Sequence, residues 1–168
     1  ALSLEKCELL KIPPGITETF PNLQVLQIFK SKLQLLRKND LKGLENLRDL
    51  FINTNEIEFL PGDLFDELKK LEIISFYGNR IKFIEPNLLD DLLKLKCLSF
   101  TGNVNINKHY DNRYNGTGNA VLDEIKKEIR EKCKLDLNKM VGDFKKLLLK
   151  DIIEGREFKV HKFLLAAR

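Results

Sequence analysis

Four stretches of the chain align without a gap: LQVLQIFKSKLQLL from Leu23, LRDLFINTNEIEFL from Leu47, LEIISFYGNRIKFI from Leu71 and LKCLSFTGNVNINK from Leu95. The offset is 24 residues each time. Each unit reads L-x-x-L-x-L-x-x-N-x-L-x-x-L, then an apolar residue five further on (Leu41, Phe65, Leu89) and another after three more (Phe20, Leu44, Leu68, Leu92). The opening ALSLEKCELLKI enters the same frame through Leu2, Leu4, Leu9 and Ile12, which makes about four and a half rungs. Alternation at the head of each unit predicts a short strand with one face inward. The later apolar pairs predict a helical turn that brings the chain back over the core. Pro61 and Pro86, just after the last apolar strand residue, suit the turn into that return segment. Each unit is then one strand plus a return segment, stacked beside its neighbour.

One polar column runs through this frame: Asn55, Asn79 and Asn103, with Ser31 and Cys7 in the same slot. Where the chain leaves the strand, backbone groups are buried without partners. An inward amide, both donor and acceptor, satisfies them along the stack.

These copies resemble the leucine-rich-repeat family, in its 24-residue type, over roughly residues 1–106. The resemblance implies an α/β fold: a solenoid with a curved parallel sheet on its concave side and irregular or short helical segments outside.

After Asn103 the ladder fails, because Asn105 stands where Leu33, Ile57 and Ile81 point inward. KHYDNRYNGTGN reads as polar turn, and AVLDEIKKEIREKC as an amphipathic helix with Val121, Leu122, Ile125, Ile129 and Cys133 on one stripe. Asn119 is its expected N-cap, and Asp123–Lys127 and Glu128–Lys132 are expected ion pairs on the wet face. The helix is expected to cover the open end of the last rung. Residues 107–133 resemble the carboxy-terminal cap of insect leucine-rich-repeat proteins. That family would place a cysteine near Asn105 to bond the helix cysteine; here the position is Asn, leaving Cys133 as a buried or free thiol. Cys97 falls at an outward strand position.

NKMVGDFKKLLLKDII places Met140, Val141, Phe144, Leu147 and Leu148 at helical spacing, so residues 134–152 read as a linker helix with Asn138 as its cap. EGREFKVHKFLLAAR has no 24-residue register. Residues 153–168 resemble the truncated start of a BTB/POZ domain, through Gly155, Phe158, Val160, His161, Lys162, Leu165 and Ala166 to Arg168. The resemblance implies a parent similar to an intracellular adaptor for a cullin-type ubiquitin ligase. The other reading is a basic amphipathic end extending the cap.

Composition narrows the function classes. The formal charge of +4 lies wholly in residues 134–168, the first 133 being balanced, and no basic face with interleaved aromatics points to nucleic acid. No run approaches the roughly 18 apolar residues of a membrane span. Three cysteines cannot all pair within the chain, which excludes a disulfide scaffold. The start at Ala1, without an initiator Met or a leader, reads as a processed or excised piece. Asn115-Gly116-Thr117 is a glycosylation triplet, either an acceptor or ordinary loop chemistry. That acceptor would place the protein in the secretory route, whereas the BTB-like tail favours the cytoplasm.

No phosphate loop, nucleophile–base pair or metal-ligand spacing is present, so neither a catalytic role nor a cofactor is expected. The register instead lists what faces away from the core: Ser3, Gln27, Phe51, Ser75 and Ser99 in one column, and Glu5, Phe29, Asn53, Tyr77 and Thr101 in the next. Lys6, Lys30, Thr54, Gly78 and Gly102 lie beside them. Phe29, Phe51 and Tyr77 sit on adjacent rungs about 4.8 Å apart, so one aromatic cluster is expected among Ser, Thr, Asn and Gln. Gln27, Phe29, Phe51, Asn53, Ser75, Tyr77, Ser99 and Thr101 form the expected site for a protein partner on a monomeric chain. The alternative is a secreted recognition protein of the immune or adhesion type.

Overall fold

The computed structural model describes residues 1–113 and 120–133. Asn115 and Asn119, and the expected elements within residues 134–168, lie outside the described residues. Ala1–Cys133 forms one compact unit.

Strands β1 (Leu2–Glu5), β2 (Val25–Phe29), β3 (Asp49–Phe51), β5 (Ile73–Ser75) and β7 (Cys97–Ser99) lie side by side in parallel. The Cα register is constant: Leu2, Leu26, Leu50, Ile74 and Leu98 are successive neighbours. The sheet therefore advances one strand per 24-residue unit. Because side chains alternate across a strand, those residues and the next inward set, Ile28, Ile52, Phe76 and Phe100, share the core face. Phe76 stacks on Phe100 with ring centroids 6.1 Å apart, and Phe65 meets Phe76 at 6.4 Å. Leu33, Ile57 and Ile81 continue the inward rows, so each rung buries its leucines only by lying on its neighbours. Leu2, Leu4 and Leu9 of the opening rung are partly buried and pack against this core.

A second, two-stranded parallel sheet joins β4 (Phe59–Leu60) to β6 (Phe83–Ile84). There Phe59 stacks on Phe83 at 5.6 Å. The return segments are less helical than the apolar spacing suggests. Only α1 (Ile16–Thr19) and a 3₁₀ turn (Lys38–Asp40) reach helical geometry among them. Elsewhere the chain strings together single turns: the N–H of Leu44 donates to Leu41 O, that of Leu47 to Leu44 O, that of Leu68 to Phe65 O and that of Leu71 to Leu68 O. Bonds between residues three apart keep the spacing that buries these leucines, yet they do not propagate as a longer helix does.

Two elements close the described unit. Strand β8 (His109–Asp111) pairs antiparallel with β7, within a stretch that reads as polar turn, and it buries Tyr110. Helix α2 (residues 120–133) buries Leu122, Ile125, Ile129 and Cys133. The first three join the same hydrophobic cluster as the rungs. Val121, expected on that stripe, is instead 45% exposed, since it lies one residue round the helix from Leu122. Glu128 pairs with Lys132 at 2.8 Å, but Lys127 reaches Glu131 at 4.0 Å rather than Asp123. The helix is tied to the rungs through Arg130–Asp90 at 2.6 Å, Lys108–Glu128 at 3.3 Å and the Lys132 ammonium on Asn105 O. Asn105 is exposed, and its inward place is taken one residue later by Ile106.

Candidate functional site

The outward face of the six-stranded sheet is built by the residues between the core positions. Register places Ser3, Gln27, Phe51, Ser75, Ser99 and His109 in one continuous row, with Val25, Asp49, Ile73, Cys97 and Asp111 in the row beside it. Glu5 and Phe29 are register partners at the other end of the strands. Asn53, Tyr77 and Thr101 follow in the same frame just past their strands.

The aromatic residues do not form one cluster. Phe29 and Phe51 are a pair, with centroids 6.5 Å apart and planes tilted by 50°. Tyr77 stands off: its ring leans toward the next rung, where a Cβ on Gly102 would lie 3.8 Å from Tyr77 Cε2. The cause is Asn53, between Phe29 and Tyr77 in their column. Its Oδ1 accepts from Ser75 Oγ at 2.7 Å and from the Tyr77 N–H at 3.0 Å, so a fixed amide divides the aromatic column. Tyr77 is 51% exposed, a high figure for so large a ring. Farther along, Ser99 Oγ donates to Thr101 Oγ1 at 3.3 Å, and Lys30 pairs with Glu5 at 3.3 Å beside Phe29. The face thus offers an apolar pair, a separate phenol and short hydroxyl and amide groups already oriented by one another.

Behind this face, the backbone turns off each of the five parallel strands in the left-handed region. Lys6, Lys30, Thr54, Gly78 and Gly102 have φ of 55°, 47°, 55°, 66° and 76°. Their N–H groups bind across to the next rung: Lys6 to Phe29 O, Lys30 to Asn53 O, Thr54 to Tyr77 O and Gly78 to Thr101 O. Glycine takes this conformation freely, whereas a β-branched residue such as Thr54 is strained there. Four rung junctions therefore share one geometry, which holds the outward residues in line.

The asparagine column locks the same junction from inside. Asn79 Oδ1 accepts from the Ile57 N–H at 3.3 Å, while its Nδ2 donates to Ile52 O at 2.7 Å and Phe76 O at 3.1 Å. Asn55 and Asn103 repeat the pattern one rung away on either side. In the earlier rungs the slot is thinner: Ser31 Oγ reaches only Phe29 O, and Cys7 Sγ only Glu5 O.

Cys97 holds the outward strand position expected of it, yet it is buried. It is only 6% exposed, because β8 lies against β7 and sets Asp111 opposite it. Burial pushes the Cys97 thiol up. Asp111 is held down at about 2 by Arg113, which donates side-chain and backbone hydrogen bonds to its carboxylate. Elsewhere Glu72 receives Lys96 at 2.5 Å and Arg48 at 3.3 Å, and these partners, Lys96 first, lower its pKa. A cleft of about 540 Å³ lies on the return side between Lys11–Glu18 and Asn39–Gly43, lined by α1, the 3₁₀ turn and the loops beside them, and without His or Cys.

The leucine rich repeat family model matches residues 1–57 and 45–104. The chain belongs to the leucine-rich-repeat family. No match to a curated protein is found. Repeats of this family generally serve as protein-binding scaffolds rather than catalysts, and among the described residues no helix is long and apolar enough to cross a membrane. The period, the core rows and the asparagine ladder of the leucine-rich-repeat unit follow from sequence. The left-handed column and the β8 hairpin do not, although two glycines at 78 and 102 were a partial signal for the former.

Proposed function

We propose that this leucine-rich-repeat unit is a protein-interaction module that binds its partner on the concave, outward face of the sheet. The observation that carries this reading is the Phe29–Phe51 pair with half-exposed Tyr77, on a face that also carries Gln27, Asn53, Ser75, Ser99 and Thr101. Large rings gain most when a partner covers them, and pre-oriented polar groups around them supply direction without ordering cost. An aromatic anchor at the centre of an interface is worth about 2 kcal/mol, or roughly 30-fold in affinity.

The test compares the wild-type chain with a Phe51→Ser, Tyr77→Ser double variant as bait in extracts of the source tissue. Loss of the captured protein with an unchanged circular dichroism spectrum supports the site. Capture by the double variant at wild-type strength would move the interface elsewhere.

The BTB/POZ-like pattern over residues 153–168 favours a parent that delivers the bound protein to a ubiquitin ligase. Co-purification of a cullin with the parent tests that extension. A glycan on Asn115 of the natural protein would instead favour the secreted recognition protein.

A further inference from the structure

We propose that Cys97, His109 and Asp111 form a binding site for a divalent zinc-type cation at the end of the sheet. Their separation along the chain resembles no metal motif; the β7–β8 hairpin brings them together. Cys97 is opposite Asp111 and Ser99 opposite His109, so the three donors project from the same face of the antiparallel pair. The thiol sulfur, an imidazole nitrogen and a carboxylate oxygen all lie within 4.8 Å of one another. A tetrahedral zinc ion, with bonds of about 2.0–2.3 Å, holds its donors roughly 3.5 Å apart. Closure therefore requires side-chain movements of about 1 Å, within reach of ordinary torsional adjustment.

The donor set selects the ion. A thiolate with an imidazole suits zinc and its neighbours among the transition metals, whereas calcium and magnesium take oxygen ligands in larger numbers. Thiolate and carboxylate together neutralise a dication, so the bound site carries no net charge of its own. Without the ion, Arg113 balances Asp111 through contacts of 2.5 to 3.1 Å. Binding exchanges the thiol proton for the metal, releasing one H⁺ per ion, while Arg113 remains a hydrogen-bonding partner that orients the ligating carboxylate. The ion would staple β8 to β7 where the repeat pattern stops. Three protein ligands leave one coordination position for water or a further ligand.

Cobalt(II) tests the site directly, because a thiolate ligand gives a charge-transfer absorption in the near ultraviolet and tetrahedral geometry gives intense visible bands. The full 168-residue chain, reduced and stripped with EDTA, is titrated with cobalt chloride and then back-titrated with zinc. The expected result is one cobalt per chain with the thiolate band, displaced by zinc. Cys97→Ser abolishes the band, while Cys7→Ser and Cys133→Ser keep it. His109 is exposed, so His109→Ala leaves the metal-free melting temperature unchanged and weakens cobalt binding by at least about 10-fold. Absence of the band in the wild type, its survival in Cys97→Ser, or undiminished affinity in His109→Ala would each overturn the proposal.

Discussion

Replacing Asn79 by leucine removes the amide that ties two successive rungs together while keeping the side-chain volume nearly constant. Asn79 is 5% exposed, so nothing from solvent replaces its bonds. The Ile57 N–H and Ile52 C=O lose the partner that Asn79 provides, whereas Phe76 O keeps Asn103 Nδ2 at 2.9 Å. Two buried backbone groups are left unpaired, at about 1–3 kcal/mol each. Added leucine burial returns about 1 kcal/mol at most in a slot shaped for an amide. The expected net loss is about 3 kcal/mol, or roughly 10 °C in melting temperature for a unit of this size.

Urea unfolding followed by far-ultraviolet circular dichroism measures the change, with Asn103→Leu as the internal comparison. Asn103 makes the same bonds to Ile81 N–H, Phe76 O and Phe100 O, but it is only partly buried, so water can take over part of its role. It should therefore cost less than Asn79→Leu. A loss below about 1 kcal/mol for Asn79→Leu, or an equal loss at both positions, would show that the amide ladder is not what holds the rung junctions.

Four further outcomes follow from the same geometry. Ser31→Asn places the ladder amide in a rung where the hydroxyl reaches only Phe29 O, and should raise stability by about 1 kcal/mol in the same urea assay. Gly102→Ala imposes a Cβ at φ 76°, 3.3 Å from Gly78 N, and should cost about 1–2 kcal/mol. Thr54→Gly relieves a left-handed β-branched residue and should gain about 0.5 kcal/mol after the entropy of the unfolded glycine is deducted. Glu72 has a folded pKa below its ordinary 4.5, Lys96 being the main cause, so its contribution is present above that value and is lost as pH falls through the lowered one. Glu72→Gln should accordingly flatten the acid limb of stability below about pH 4.5 and leave its shape above pH 6 unchanged, as read by urea midpoints across pH.

Legibility in the sequence tracked how far each interaction is repeated. A leucine whose environment recurs every 24 residues announces its burial, and so does Asn79, because copies of the same contact stand in register before and after it. The face is legible to the same extent: Phe51 and Ser75 occupy the row that alternation assigns them. What alternation cannot convey is how neighbours on that face divide space, since Asn53 spends its carbonyl on Ser75 and Tyr77 and so parts the aromatic column. The left-handed junction was half-hidden for a related reason. Gly78 and Gly102 mark it, but Lys6, Lys30 and Thr54 accept the strain because the bond to the next rung overrides local preference. At the end of the array the repeat ceases to inform altogether. Lys108 to Asn112 is polar enough to read as turn, yet β7 has a free edge there, and an unpaired parallel edge accepts whatever strand returns to it. That return reverses the strand direction and sets Asp111 against Cys97. It turns a cysteine at an outward position into a buried one, with a histidine and a carboxylate beside it. Chemistry in a repeat protein can thus gather where the period breaks, since side chains there are freed from the requirement to match a neighbour 24 residues away.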